Sequence, residues 1–227
     1  MIPLVIHFFW CADKRDLGPL ELFTLENARR NSGCEVVLHT NKLIDISGII
    51  VRRQEFPTHI GGHLAKHIEH RVDIVRLQTA ARDGGFYSDT DIVLFKSLID
   101  LTSYNNIFAF QNKSYKTICI GFFGCSPDNT LIKKAEENYW SFYPPKLYWG
   151  LASFRVLIPE ILRNSEIYIC PQKDFFPVRM KDSTFYTDEN ERTRDFSKSR
   201  GIHLWAHVIP QECYPIVINK LRRVNLD

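Results

Sequence analysis

The chain has no Cys-x-x-Cys pair, no apolar run long enough to span a membrane, no block of like charge, and no internal repeat or low-complexity stretch. Each absence removes a class. Six cysteines (Cys11, Cys34, Cys119, Cys125, Cys170 and Cys213) are scattered singly, which argues against a zinc ribbon or a dithiol redox motif. Their neighbours are mainly apolar or small, so reduced, buried thiols are expected. The apolar opening, Ile2 to Ala12, carries no basic leader and is too short for a transmembrane helix. With 29 Lys and Arg against 26 Asp and Glu the net charge is only +3. No stripe of basic residues interleaved with aromatics is present, so nucleic acid is not an expected partner. What remains is 227 residues, 44% hydrophobic and 24% charged. Such a chain is expected to form one globular domain over 1–227, large enough to bury a real core.

The pattern of apolar residues gives the elements. Ile2–Trp10 predicts a buried strand, Pro19–Arg30 a helix stopped by Gly33, and Cys34–His39 and Gly48–Arg52 two further strands. His59 to Arg82 has helical spacing, and Gly84-Gly85 ends it as a left-handed cap would. Phe86–Ser88, Ile107–Phe110, Thr117–Cys125 and Ile167–Cys170 predict strands. A helix is expected from about Asp128 to Phe142, broken by Pro144-Pro145, and another over Ala152–Arg163 with a kink at Pro159. Lys181–Arg200 is polar and weakly patterned, hence a loop. Ile202–Val208 predicts a late strand, and the tail from Pro215 a short strand or helix. Strands alternating with helices in one chain indicate an α/β sandwich, whose ligands gather beyond the carboxyl ends of the strands.

Chemistry concentrates in Gly84-Gly85-Phe86-Tyr87-Ser88-Asp89-Thr90-Asp91. In an extended segment alternate side chains share a side, so Asp89 and Asp91 are expected to project together with Thr90 opposite. Two carboxylates on one side suit a hard divalent cation, Mg²⁺ or Mn²⁺, which in turn can clamp a diphosphate. Asp73 and Arg76, three apart on the preceding helix, share its face. On the same predicted helix His63 and His67 stand four apart, a spacing able to ligate zinc. No Glu follows His63 as in a zinc protease, so a solvated or partner-facing helix is the expectation there.

The run His70-Arg71-Val72-Asp73-Ile74-Val75-Arg76 through Gly84 to Val93, ending near Leu98, resembles the sugar-binding region of the DXD glycosyltransferases. Those include the family 32 transferases and the catalytic domains of large glucosylating bacterial toxins. Ile2-Pro3 through Trp10 is similar to that family's opening strand. Ile167–Pro171 with Phe175–Val178 resembles a later strand, and Gly201-Ile202-His203-Leu204-Trp205 its C-terminal His motif. The resemblance implies a GT-A-type, Rossmann-like mixed-sheet fold. It further implies that Trp10 stacks on the nucleotide base and that Tyr87 lines the base or ribose pocket. Asp73 and Arg76 would hold donor sugar hydroxyls and the region near the diphosphate. Asp89 would be the first DXD carboxylate, touching ribose, sugar or metal-bound water, Asp91 the direct metal ligand, and His203 the residue completing the metal or diphosphate site. After Trp205 the family often has a further polar-plus-Trp step, whereas this chain reads Ala206-His207-Val208. A differently built diphosphate lid follows, in which His207 can share the role of His203. Trp149-Gly150 is similar to a small-residue loop near the donor, and the Lys181–Arg200 loop is placed to close over an acceptor.

The expected function is therefore a metal-dependent hexosyltransferase using Mn²⁺ or Mg²⁺ and a nucleotide-sugar, UDP-sugar favoured and GDP-mannose possible. The acceptor is a glycan, a lipid-linked acceptor or another hydroxyl, and the family analogy implies retention. Were the reaction inverting, Asp174 or Asp188 would be the candidate base. The expected location is cytoplasmic, in a bacterium or virus-infected cell, with peripheral membrane association. Two alternatives stand beside it. One is a catalytically degenerate nucleotide-sugar or carbohydrate-binding module. The other is an Asp-nucleophile phosphatase, since Asp89-Thr90-Asp91-Ile92-Val93 fits Asp-x-Asp-x-Val, although no adjacent acidic pair follows downstream.

Overall fold

In the computed structural model, residues 1–112, 114, 117–143, 157–179, 186, 188 and 195–224 are described. The strands are β1 (Val5–Trp10), β2 (Glu35–Thr40), β3 (Ile50–Arg53), β4 (His59–Ile60), β5 (His63–Leu64), β6 (Gly85–Ser88), β7 (Ile92–Leu94), β8 (Asn106–Asn112), β9 (Thr117–Cys125), β10 (Ile167–Cys170) and β11 (Gly201–His203). The helices are α1 (Pro19–Asn31), α2 (Ile68–Asp83), α3 (Thr130–Phe142), α4 (Ile158–Arg163), α5 (Gln172–Phe175) and α6 (Tyr214–Val224).

Seven strands form one mixed sheet in the order β10-β8-β9-β6-β1-β2-β3. β9 runs antiparallel to both β6 and β8, and the other pairings are parallel. Because both faces are covered, the strands read as continuous apolar runs rather than alternating ones. Phe8, Phe86 and Phe122 point to the face that packs against Leu25 and Ala28 of α1. Their neighbours Phe9, Tyr87 and Phe123 point to the opposite face, against Ile74 and Leu77 of α2 and Ile132 and Tyr139 of α3. A third apolar cluster joins Val93 of β7 and Ile202 of β11 to Val217 and Leu221 of α6. No helix among the described residues is long and apolar enough to cross a membrane.

Three sequence expectations change. The helical region predicted from His59 begins only at Ile68. Gly61 and Gly62 adopt φ of 55° and 79°, a left-handed pair that turns β4 back on β5 as a hairpin. His59 and His63 therefore lie on strands, His67 caps α2, and His70 packs against Tyr143 with its Nδ1 3.1 Å from the phenol. No helix face carries His63 and His67 together. Asp89–Asp91 is a turn rather than an extended segment, closed by the Ile92 amide donating to Asp89 O at 3.1 Å. The late strand ends at His203, because Trp205 takes a left-handed φ of 56° and a 3₁₀ turn, Ala206–Val208, follows. Of the helix predicted over Ala152–Arg163 the described part is α4, with Pro159 in its first turn, where its missing amide costs nothing; 152–156 lie outside the described residues. The tail is helical, as α6. Pro144-Pro145, Trp149-Gly150 and most of the Lys181–Arg200 loop lie outside the described residues.

Candidate active site

A cleft of roughly 520 Å³ opens beyond the carboxyl ends of β1 and β6, with Trp10, Asp73, Arg76, Tyr87, Asp89, Asp91 and His203 all in its lining. Three devices in the sequence build it. Gly84 and Gly85, at φ of 67° and 96°, reverse the chain from α2 into β6, so a residue of the helix face and the end of the strand meet. A Cβ on Gly85 would stand 2.6 Å from the Val5 side chain, so only glycine allows β6 to lie this close to β1. The turn after β6 then presents Asp89 and Asp91, and β11, paired antiparallel with β7, returns His203 to Ile92.

Arg76 is the buried hub. Its Nη2 lies 2.6 Å from Asp73 Oδ1, and both side chains are less than a tenth exposed. Its Nη1 donates to the Tyr87 hydroxyl at 2.8 Å and lies 3.4 Å from Asp89 Oδ1, and the guanidinium sits 4.7 Å over the Tyr87 ring. Tyr87 in turn donates its hydroxyl to Asp89 Oδ1. Asp73 is closed from the far side by Tyr139 of α3, whose hydroxyl donates to Oδ2 at 3.2 Å. Burial pushes the Asp73 carboxyl up to about 6, helped by the charge of Asp89 and opposed by Arg76. Burial likewise raises the Tyr87 phenol, keeping it a hydrogen-bond donor. Burial alone would loosen the Arg76 proton, but Asp73, Tyr87 and Asp89 outweigh it and raise its pKa.

Asp91 forms the opposite wall. Its Oδ1 is 3.2 Å from His203 Nε2, its Oδ2 accepts the Ala206 amide at 2.9 Å, and its carbonyl accepts the Leu204 amide at 2.9 Å. Burial works against charge on both side chains, yet their attraction wins: the Asp91 carboxyl is lowered and the His203 imidazole raised. Trp205 stacks against the imidazole at 4.1 Å between centroids. His207 reaches the cleft from the 3₁₀ turn that follows.

These residues fit a divalent cation. Asp89, Asp91 and His203 offer donor atoms within 4.8 Å of one another, the one such grouping among the described residues. His203 Nδ1 is buried with no hydrogen-bond partner among the described residues, so it remains available to an ion. On the Asp89 side, Gly121 leaves a gap: a Cβ there would come within 2.4 Å of Asp89 Oδ2. Two carboxylates and an imidazole suit Mn²⁺ or Mg²⁺ better than thiolate-seeking ions.

Spacing alone did not reveal several contributors. Tyr139, Gly121 and Ile120, and the Arg15–Glu21 ion pair at 2.6 Å, belong to the cleft or its support. The available signal for Gly121 is a glycine inside an apolar strand run, which marks a close approach. Asp174, one candidate base for an inverting reaction, is not a cleft residue. It sits on α5 with Arg200, whose amide donates to its carbonyl at 2.8 Å and whose Nε lies 3.8 Å from Oδ2.

A mixed sheet of this order, with an Asp-x-Asp turn at the carboxyl end of a central strand, is the GT-A fold of glycosyltransferases. Among solved structures the chain is similar to galactosyltransferase LgtC in complex with donor and acceptor sugar analogs, at TM-score 0.53 and 12% identity over 97% of this chain and 95% of that one. It is also similar to a glycosyltransferase involved in the glycosylation of the major capsid of PBCV-1, at TM-score 0.53 and 9% identity over 96% of this chain and all of that one. In sequence it is similar to the human alpha-1,4-N-acetylglucosaminyltransferase, 23% identical over 150 residues. That match covers 60% of this chain and 42% of the relative, so it spans less than half of that protein's length. No protein-family model matches the chain.

Proposed function

We propose that the chain is a metal-dependent glycosyltransferase that moves a hexose from a nucleotide-sugar donor, a UDP-sugar first and GDP-mannose second, to a hydroxyl of a glycan or lipid-linked acceptor. The observation that carries the proposal is the convergence of Asp89, Asp91 and His203 beside the buried Asp73–Arg76 pair, in one cleft of a GT-A fold. Held by those three donors, Mn²⁺ or Mg²⁺ would supply Lewis-acid stabilisation of the charge on a departing diphosphate.

The chain's own residues do the rest. Asp73, fixed from two sides by Arg76 and Tyr139, accepts hydrogen bonds from sugar hydroxyls in one orientation, so the donor pays little ordering entropy on binding. Arg76 keeps a positive field over the cleft floor, where burial strengthens it against developing negative charge. Tyr87 holds Asp89 by Oδ1, while Oδ2 lies in the space that the missing Gly121 side chain leaves. Trp10 offers a flat apolar surface to the base. Transfer proceeds with retention, by attack on the face the diphosphate leaves. A peripheral position at a membrane would suit a lipid-linked acceptor.

The test is calorimetric titration of UDP, GDP and their sugar conjugates, with Mn²⁺ and with EDTA, on the wild type and Asp91→Asn. Metal-dependent binding of one nucleotide series, weakened in the variant and followed by sugar transfer, is expected. NMR of the product then reads the anomeric configuration. Binding without transfer would instead mark a nucleotide-sugar-binding module, and no binding to a folded protein would refute both readings.

A further inference from the structure

Apart from the field of the buried Arg76, the cleft is short of positive charge that can contact a diphosphate. Arg76 is already engaged by Asp73, Tyr87 and Asp89, and His203 by Asp91. Beyond His203 the chain supplies Ala206 and an exposed His207, with no Lys or Arg until Lys220, which is buried on α6 and donates to the Asp188 carbonyl. The other source of phosphate contacts in nucleotide-binding α/β folds, the first helix N-terminus, here carries a carboxylate of its own. The Glu21 carboxylate accepts the Gly18 amide at 2.8 Å and caps α1 with its own negative charge.

The remaining cations in the cleft lining are Lys14 and Arg15, on the loop between β1 and α1. Arg15 is pinned. Its guanidinium lies 4.4 Å over the Trp10 ring, its Nη2 is 2.6 Å from Glu21 Oε1, and its carbonyl accepts the Trp10 indole N–H at 3.2 Å. Lys14, its neighbour, is exposed and forms no ion pair with any described residue. A loop fixed at one residue and carrying a free ammonium at the next is a built presentation of positive charge to the cleft. Lysine suits the task, being a compact point charge on a flexible stem that follows a phosphate wherever it settles.

We infer that Lys14 is a diphosphate-binding residue of this chain, and that Arg15 is the positioning residue that presents it by anchoring the loop on Trp10 and Glu21. The inference rests on the transferase reading and gives it a diphosphate contact from the loop between β1 and α1.

The experiment titrates inorganic pyrophosphate with Mg²⁺, and separately uridine and guanosine, into wild type, Lys14→Ala, Lys14→Arg and Arg15→Ala. Lys14→Ala is expected to weaken pyrophosphate about tenfold, the scale of one charge-assisted contact. Lys14→Arg restores it, and neither changes nucleoside affinity. Arg15→Ala, by freeing both the loop and Trp10, weakens pyrophosphate and nucleoside together. Lys14 is exposed, so its variants are expected to fold, and circular dichroism checks this. Pyrophosphate affinity unchanged in Lys14→Ala, or no pyrophosphate binding by the wild type, overturns the inference. Lysine-dependent pyrophosphate binding without sugar transfer would sink the transferase reading and leave this site standing. Transfer with a Lys14→Ala protein that binds pyrophosphate normally would do the reverse.

Discussion

Asp91 and His203 meet at 3.2 Å across the β7–β11 pair, Oδ1 to Nε2, with the other imidazole nitrogen buried and unpartnered. The same aspartate also receives the Ala206 amide on Oδ2 and the Leu204 amide on its carbonyl. The residue proposed as a metal donor is thus also the clasp that holds the C-terminal segment to the sheet.

The two roles separate by substitution. Asp91→Asn keeps an acceptor for Ala206 but ends the ion pair with buried His203, and a loss of stability of about 1–3 kcal/mol is expected. It loses the anionic donor, so metal-supported nucleotide binding falls by more than about tenfold. Asp91→Ala loses both and melts earlier. Thermal melts alongside metal titrations decide it; equal metal affinity in Asp91→Asn and wild type would remove Asp91 from the site.

The Arg76 hub is the most costly place to cut. Replacing it with Met leaves Asp73 and Asp89 without their cation in a buried setting, and a loss of about 3–5 kcal/mol is expected. Adding Asp73→Asn removes one of the stranded charges, so the double variant should be less damaged than the sum of the singles. Urea denaturation of the four proteins gives the coupling. Additive losses would mean that the 2.6 Å pair contributes no coupling.

Gly121→Ala tests whether the space beside Asp89 matters. The added methyl would stand 2.4 Å from Oδ2 and 3.3 Å from Cys119 Sγ, so the carboxylate must turn. Metal affinity is expected to fall about 10–100-fold, as when a ligand loses its orienting partner. Titration with Mn²⁺ reads this directly, and an unchanged affinity would show that Asp89 binds through its other oxygen.

A pH effect on stability follows from two histidines away from the cleft. His7 Nε2 lies 3.2 Å from Gly84 O, to which it can only donate, and its Nδ1 lies 3.0 Å from His39 Nε2. Burial keeps both rings neutral near pH 7, so Nδ1 accepts the His39 Nε2–H. Burial pushes His7 down to about 4 and His39 to about 3, with Asp83 opposing and Arg52 and Arg82 assisting. A depressed histidine gives its full stabilisation above the unfolded value near 6.5, and loses it as pH falls from there through the folded value. Stability should drop between pH 6.5 and 4, by on the order of 2 kcal/mol for His7 at pH 5. The drop should be reduced in a His7→Gln, His39→Gln protein. Equal slopes for the two proteins would contradict the neutral pair.

Much of the sheet was legible because its strands are bounded apolar runs. Thr117–Cys125 and Ile167–Cys170 were predicted with the bounds they have. Asp73 and Arg76 were placed together by helical spacing alone. The hairpin at His59–Leu64 was not, since apolar residues on either side mimic a helical period and conceal the Gly61-Gly62 turn. Asp89 and Asp91 do converge, but through a turn rather than through strand alternation. Tyr139 reaches Asp73 from 66 positions away, and no local pattern can announce such a contact. His203 was placed by resemblance, because nothing in its own neighbourhood points to Asp91.

The pairing of β7 with β11 also sets a timetable. The first and last of the proposed metal donors, Asp89 and His203, are separated by 203 − 89 = 114 residues, or roughly 6–23 seconds of synthesis at about 5–20 residues per second. Through that interval the nascent chain carries two neighbouring carboxylates with neither the imidazole nor the Ala206 amide that Asp91 will meet. The site is completed only after nearly all of the sheet has been made, so a protein stalled on the ribosome before residue 203 can pack most of its core and still lack the third donor.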